Sequence, residues 1–138
     1  MSWLKDAAEK ATRDNHLLIV GGDFNASLTP HIDRPEGQPL PQDTDLASHM
    51  GLSQPNPSLA PFAGERRPSH VCLGRSKRSA RIDDLIHNPL TTPASLPTFS
   101  PTSTVSTHLK SINSDHLPIL GTIPLLPLGL GRPPPPSI

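Results

Sequence analysis

The chain has 138 residues, among them nineteen Pro, nine Gly and only four aromatics: three Phe, one Trp and no Tyr. That length suits one small domain, the breakers argue against long helices after residue 50, and a short chain buries a modest share of its surface. Twelve basic and twelve acidic residues cancel, so net charge predicts no polyanion partner, and the single Cys72 excludes an internal disulfide.

In chain order, Trp3, Leu4, Ala7, Ala8 and Ala11 fall at helical spacing and predict a helix over residues 3–15, with Ser2 as its N-cap. Leu17, Leu18, Ile19 and Val20 read as a short strand buried on both faces, ended by Gly21, Gly22 and Asp23. Residues 26–42 read as a loop, and a short helix runs from Asp43 or Thr44 to about Met50. Residues 51–68 are Pro-rich. Short strands are expected at Val71–Leu73, Arg81–His87, Thr102–Leu109 and Leu117–Ile123, with a Pro/Ser/Thr loop over 89–101. The end, GRPPPPSI, reads as polyproline-like and unstructured. This order is α/β, and in open α/β sheets sites gather at strand C-terminal ends.

The N-terminus, MSWLKDAAEK, carries charges where a signal peptide has its apolar stretch. The most apolar stretch, Leu117–Gly131, is broken by Pro118, Pro124 and Pro127 and is too short to span a bilayer. The expectation is an intracellular protein, nuclear or cytoplasmic, with no membrane partner.

Charge is unevenly placed. Arg66, Arg67, Arg75, Lys77, Arg78 and Arg81 put half the basic residues into sixteen positions with no acid. The window is either a solvated loop or a surface that contacts nucleic-acid phosphates, with Arg75, Lys77, Arg78 and Arg81 as the candidate contacts.

Three motifs carry the chemistry. GGDFN, Gly21–Asn25, follows the first strand. Its Asp23 can orient or deprotonate a water, and its Asn25 amide can hold a phosphate oxygen without adding charge. The alternative is a turn in which both side chains satisfy backbone groups. RIDDL, Arg81–Leu85, sets Asp83 among apolar neighbours, where a carboxylate needs a partner such as His. The alternative is an edge strand carrying two solvated acids. SDHLPI, Ser114–Ile119, brings Asp115 and His116 to the start of the last strand. Asp115 can ligate a hard cation, and His116 can donate to a phosphate oxygen or act as an acid. The alternative is a capped loop with an exposed His.

Each motif alone is weak, but GGDFN, then RID, then SDHLPI in this order resembles the C-terminal half of the endonuclease/exonuclease/phosphatase superfamily. GGDFNA and SDHLPI look most like the endonuclease domain of non-LTR retrotransposons. The resemblance implies a partial two-sheet α/β sandwich, with a mixed sheet flanked by helices, over residues 1–124, followed by a disordered tail over 125–138. It implies metal-dependent phosphodiester hydrolysis of DNA, or of RNA, with Mg²⁺ or Mn²⁺ as cofactor. Asp23 would activate the attacking water, Asn25 would hold water or phosphate, Asp83 would orient His116, Asp115 would bind the metal, and His116 would contact the scissile phosphate. A reverse transcriptase domain is the partner that the resemblance implies in a full-length relative.

The sequence departs from the family in two ways. The family's first half supplies an Asn and a metal-binding Glu, whereas Glu9, Glu36 and Glu65 are the only Glu here and none follows a buried strand. Asp84 stands where the family commonly has an aromatic residue. A half-domain would expose Leu17, Ile19, Ile82, Leu85 and Ile119 and would self-associate through that face. Three readings stay open: a truncated nuclease, a non-catalytic remnant, and a nucleic-acid-binding module built on the basic window.

Overall fold

The computed structural model describes residues 2–33, 40–52, 54–71, 79–90, 100–106 and 114–124. Its elements are α1 (Ser2–Arg13), β1 (Ile19–Asp23), α2 (Pro30–Asp33), α3 (Pro41–His49), β2 (Ala60–Pro61), β3 (Asp83–His87), β4 (Thr102–Val105) and β5 (Ile119–Thr122). Helices and strands are both present, as an α/β reading requires. No described helix is long and apolar enough to cross a membrane.

The strands form a three-stranded sheet in the order β1-β3-β2 and a two-stranded sheet β4-β5. A mixed sheet was expected, but all three ladders among the described residues are antiparallel. The reason is local. The excursion after β1 returns beside its own start, where the Phe24 N–H donates to the Ile82 carbonyl at 2.8 Å, so β3 leaves that junction running back along β1. Among the described residues the one parallel contact is a single bridge, Ala63 to Thr102, which joins the two sheets.

Helix α1 ends at Arg13, two residues before the expected end. Asn15 adopts the left-handed region (φ 58°). The His16 N–H donates to the Ala11 carbonyl at 2.8 Å, and the Asn15 N–H to the Thr12 carbonyl at 3.2 Å. This double closure satisfies carbonyls that the last turn would otherwise orphan. Leu4 and Ala8 enter the core beside Leu28, Met50, Leu59 and Ile86. Trp3, expected on the same stripe, lies 66% exposed in the first turn, beyond the reach of that core.

Strand β1 is not buried on both faces. Val20 packs against the core, whereas Ile19 is 40% exposed, because β1 is an edge strand with only one face covered among the described residues. The expectation that Leu85 faces water is corrected too. A Cβ on Gly21 or on Gly121 would come within 2.7 Å of a Leu85 methyl, so these two glycines let β1 and β5 close over that side chain. Ile82, Leu85 and Ile119 are half-buried, and only Leu17 and Ile19 of that group are exposed.

Two elements fall in segments read as loop, α2 and β2. Helix α3 starts earlier than expected, with Pro41 in its first turn, where a missing N–H costs nothing. Asp43, fully buried, accepts the Leu40 N–H at 3.0 Å and the Ser27 N–H at 2.8 Å, tying α3 to the loop that follows GGDFN. Val71 is not in a strand, and Leu73, most of the 89–101 loop, the residues after Ser106 in the expected Thr102–Leu109 strand and the tail over 125–138 lie outside the described residues.

Asn88 closes the sheet onto α1. Its Oδ1 accepts the Leu18 N–H at 2.7 Å, and its Nδ2 donates to the His16 carbonyl at 2.9 Å and to Thr12 Oγ1 at 3.1 Å. The side chain is fully buried. Asn88→Ala strands these groups and should lower the unfolding free energy by about 2–3 kcal/mol, read as a lower urea midpoint at unchanged slope.

Candidate active site

The register of β1 on β3 sets Asp23 directly opposite Asp83. Like charges in that position repel. The imidazole of His116 resolves the conflict by standing between them. A carboxylate is acceptor-only, so His116 Nδ1 carries the proton and donates to Asp83 Oδ2 at 2.8 Å. Its Nε2 lies 4.0 Å from Asp23 Oδ2 and 3.8 Å from Asp115 Oδ1, too far for hydrogen bonds and far enough apart to admit another group.

A short strap delivers His116 to this place. Ser69 is fully buried, and its Oγ accepts the N–H groups of Ile82 and Asp83 at 3.1 and 3.0 Å. The Leu117 N–H donates to the Ser69 carbonyl at 2.6 Å, and the Val71 N–H to the Asp115 carbonyl at 2.9 Å. These two bonds flank His70 and His116, which therefore form an antiparallel pair of the close, non-hydrogen-bonded kind. Their rings lie on one face with centroids 5.0 Å apart. His70 Nε2 donates to Asp115 Oδ2 at 2.8 Å. His70 is the residue that sequence reading missed. It sits 45 positions from Asp115, and only the pairing register brings them together.

Of the sequence candidates, Asp23, Asp83, Asp115 and His116 converge. The Asn25 side chain makes no hydrogen bond to them among the described residues. The residue is exposed in the left-handed region (φ 53°), and its backbone N–H donates to Asp23 Oδ1 at 2.9 Å. GGDFN thus closes a turn with one Asp23 oxygen and leaves the other facing His116. The Asp83 hydrogen bond, helped by the nearby carboxylates of Asp115 and Asp23, raises the His116 pKa above its ordinary value. The His70 hydrogen bond lowers that of Asp115.

The second carboxylate of RIDDL points the other way. Asp84 is buried and accepts from Arg66 Nη1 at 3.0 Å and Nη2 at 2.6 Å. Arg66 also donates to both oxygens of Asp33, from Nε at 3.0 Å and Nη2 at 3.1 Å. Arg81 Nη2 approaches Asp84 Oδ1 at 3.4 Å. This corrects the reading of Arg81 as a nucleic-acid contact. Only 2% of Arg81 is exposed, because Asp84 draws it inward, and burial lowers its pKa against the opposing pull of that carboxylate. Arg67 is exposed and pairs with Glu65 at 2.8 Å. Arg75, Lys77 and Arg78 lie outside the described residues.

A groove of about 300 Å³ opens beside the cluster, lined by Gly21, Gly22, Asp23, Asp83, Asp84, Leu85, Leu117, Pro118 and Ile119. A larger cavity of about 370 Å³, between α1 and the Asn56–Ser58 turn, contains none of the motif residues.

In an NMR titration of the metal-free chain, His116 should titrate above the ordinary His value of about 6.5, and Asp83→Asn should bring it back toward that value. Because the folded pKa is the raised one, this pair's contribution to stability is complete below about pH 6.5 and is lost as pH rises through the folded value. Asp84→Ala, which leaves two buried guanidinium groups sharing Asp33, should cost about 3–5 kcal/mol by urea unfolding.

Comparison with protein-family models, with curated proteins and with solved structures gives no match. The chemistry is therefore read from the geometry of the site itself.

Proposed function

We propose that this chain is a phosphodiester hydrolase of the endonuclease/exonuclease/phosphatase type acting on nucleic acid, its two antiparallel sheets forming part of that family's α/β sandwich. One observation carries the reading. Three motifs far apart in sequence meet at His116, which Asp83 orients and whose free ring nitrogen faces Asp23 and Asp115 across an open gap. Orientation by a buried-side carboxylate plus a second, unspent carboxylate nearby is what general acid–base work on a phosphodiester requires.

In this reading a non-bridging phosphate oxygen takes the space next to His116 Nε2. The imidazolium donates to it and offsets the charge that builds as the phosphorus is attacked. Asp23 Oδ2 accepts a proton from the incoming water. The new bond is phosphorus to water oxygen, and the bond lost is phosphorus to ester oxygen, whose proton comes from solvent. Asp83 keeps the ring in place throughout. The raised His116 pKa favours the protonated form that this role uses.

The Mg²⁺ or Mn²⁺ that the resemblance implies, taken as Mg²⁺, calls for a six-oxygen shell built from one or two carboxylates, water and phosphate. Both candidate groupings among the described residues contain imidazole nitrogen. This donor set does not fit a Mg²⁺ shell, and no step here runs through one.

The test is relaxation of supercoiled plasmid by the full chain, in EDTA and separately with Mg²⁺ or Mn²⁺. Nicking is expected in at least one condition, reduced about 10²–10⁴-fold in His116→Ala and in Asp23→Asn. Nicking equal in the variants, or none in any condition, overturns the proposal.

A further inference from the structure

We propose that His70, Asp115 and His116 form a binding site for a borderline divalent transition-metal ion of the Zn²⁺ kind, with Asp83 fixing His116 from behind. Such ions favour imidazole nitrogen with a carboxylate oxygen, and sites with three protein donors keep a fourth position open. The described residues offer that set. One ligand atom from each of the three lies within 4.8 Å of the others. His70 Nε2 is 2.8 Å from Asp115 Oδ2, and His116 Nε2 is 3.8 Å from Asp115 Oδ1. Tetrahedral donors at zinc–ligand lengths of about 2.0–2.1 Å stand about 3.3 Å apart, so the two spacings bracket the required one.

Two features make this more than a chance grouping. The first is backbone register. His70 and His116 are a close cross-strand pair, so their rings are held on one face by the bonds at Ser69–Leu117 and Val71–Asp115 rather than by side-chain packing alone. The second is the outer partner. A metal-binding His usually donates its other N–H to a carboxylate, which fixes tautomer and ring orientation. Asp83 already does this at His116 Nδ1, and that leaves Nε2 as the free donor on the Asp115 side.

The alternative grouping, Asp23, Asp83 and His116, is weaker. Asp83 meets Nδ1 of the ring and Asp23 faces Nε2, so the two carboxylates address opposite ring nitrogens. A single ion does not bridge them. At His70–Asp115 the ion takes the place of the proton now shared between Nε2 and the carboxylate; in the neutral His70 that proton sits instead on Nδ1. Asp115 is half-exposed, so an ion can enter from solvent.

Binding of the ion does not depend on hydrolysis. Its consequence does, and it rests on the proposed phosphate contact of His116: metal and phosphate would compete for the same Nε2, so a Zn²⁺-loaded chain would not nick DNA.

The probe is Co²⁺ added to the metal-free full chain, followed by visible absorption, with Zn²⁺ as competitor. A d–d band of tetrahedral intensity that Zn²⁺ displaces is expected. His70→Gln, close in size and unable to supply the ring nitrogen, should weaken Co²⁺ binding at least about tenfold, and Asp83→Asn by about 10–100-fold. Asp23→Asn should leave binding unchanged. No band in the wild-type chain overturns the site, as does equal binding by His70→Gln, or loss of binding in Asp23→Asn with far-UV circular dichroism intact. Because absorption is read without DNA, failure here and failure of plasmid nicking are separate results.

Discussion

Asp84 and the two arginines that hold it are the constraint on which the site depends. Burying a carboxylate is costly unless opposite charges and hydrogen bonds surround it. Arg66 meets Asp84 and Asp33 together, and Arg81 closes from β3's own approach, so the interior charge is compensated among the described residues. The cluster ties α2, the segment at Arg66 and β3 into one piece. On a strand, neighbouring side chains take opposite faces. Once Asp84 is anchored inside, Asp83 has to emerge into the groove, where His116 meets it. Anchoring Asp84 is thus what fixes the direction of Asp83.

Glycine does the complementary work on the sheet faces. Leu85 lies between Gly21 and Gly121, and either Cβ would collide with it. Gly21 of GGDFN is therefore a packing requirement as well as a turn signal. It brings the strand that carries Asp23 down onto Leu85 and puts Asp23 in register with Asp83.

The sequence made some of this legible and hid the rest for identifiable reasons. Helix α1, β1, α3, β3 and β5 all emerge near the positions that periodicity and breakers indicate, because those signals are local. The two-faced burial expected for the Leu17–Val20 run failed, since an apolar run cannot say whether its strand lies at an edge. His70 was invisible because its partner is set by pairing register. Arg81 was misread because charge on a sequence has no inside or outside until Asp84 supplies one. Asp23, Asp83, Asp115 and His116 came from short motifs whose order mattered more than any one of them.

Asn88 has a further consequence, for the order in which the chain folds. Its bonds to Leu18, His16 and Thr12 join residues 70 to 76 positions apart. None of them forms until a loop of that size has closed, and closure costs entropy before any contact returns it. Contacts of such range slow folding. Helix α1 can form early from its own turns and meet Leu28, Met50 and Leu59, whereas the Asn88 latch on it waits for β3.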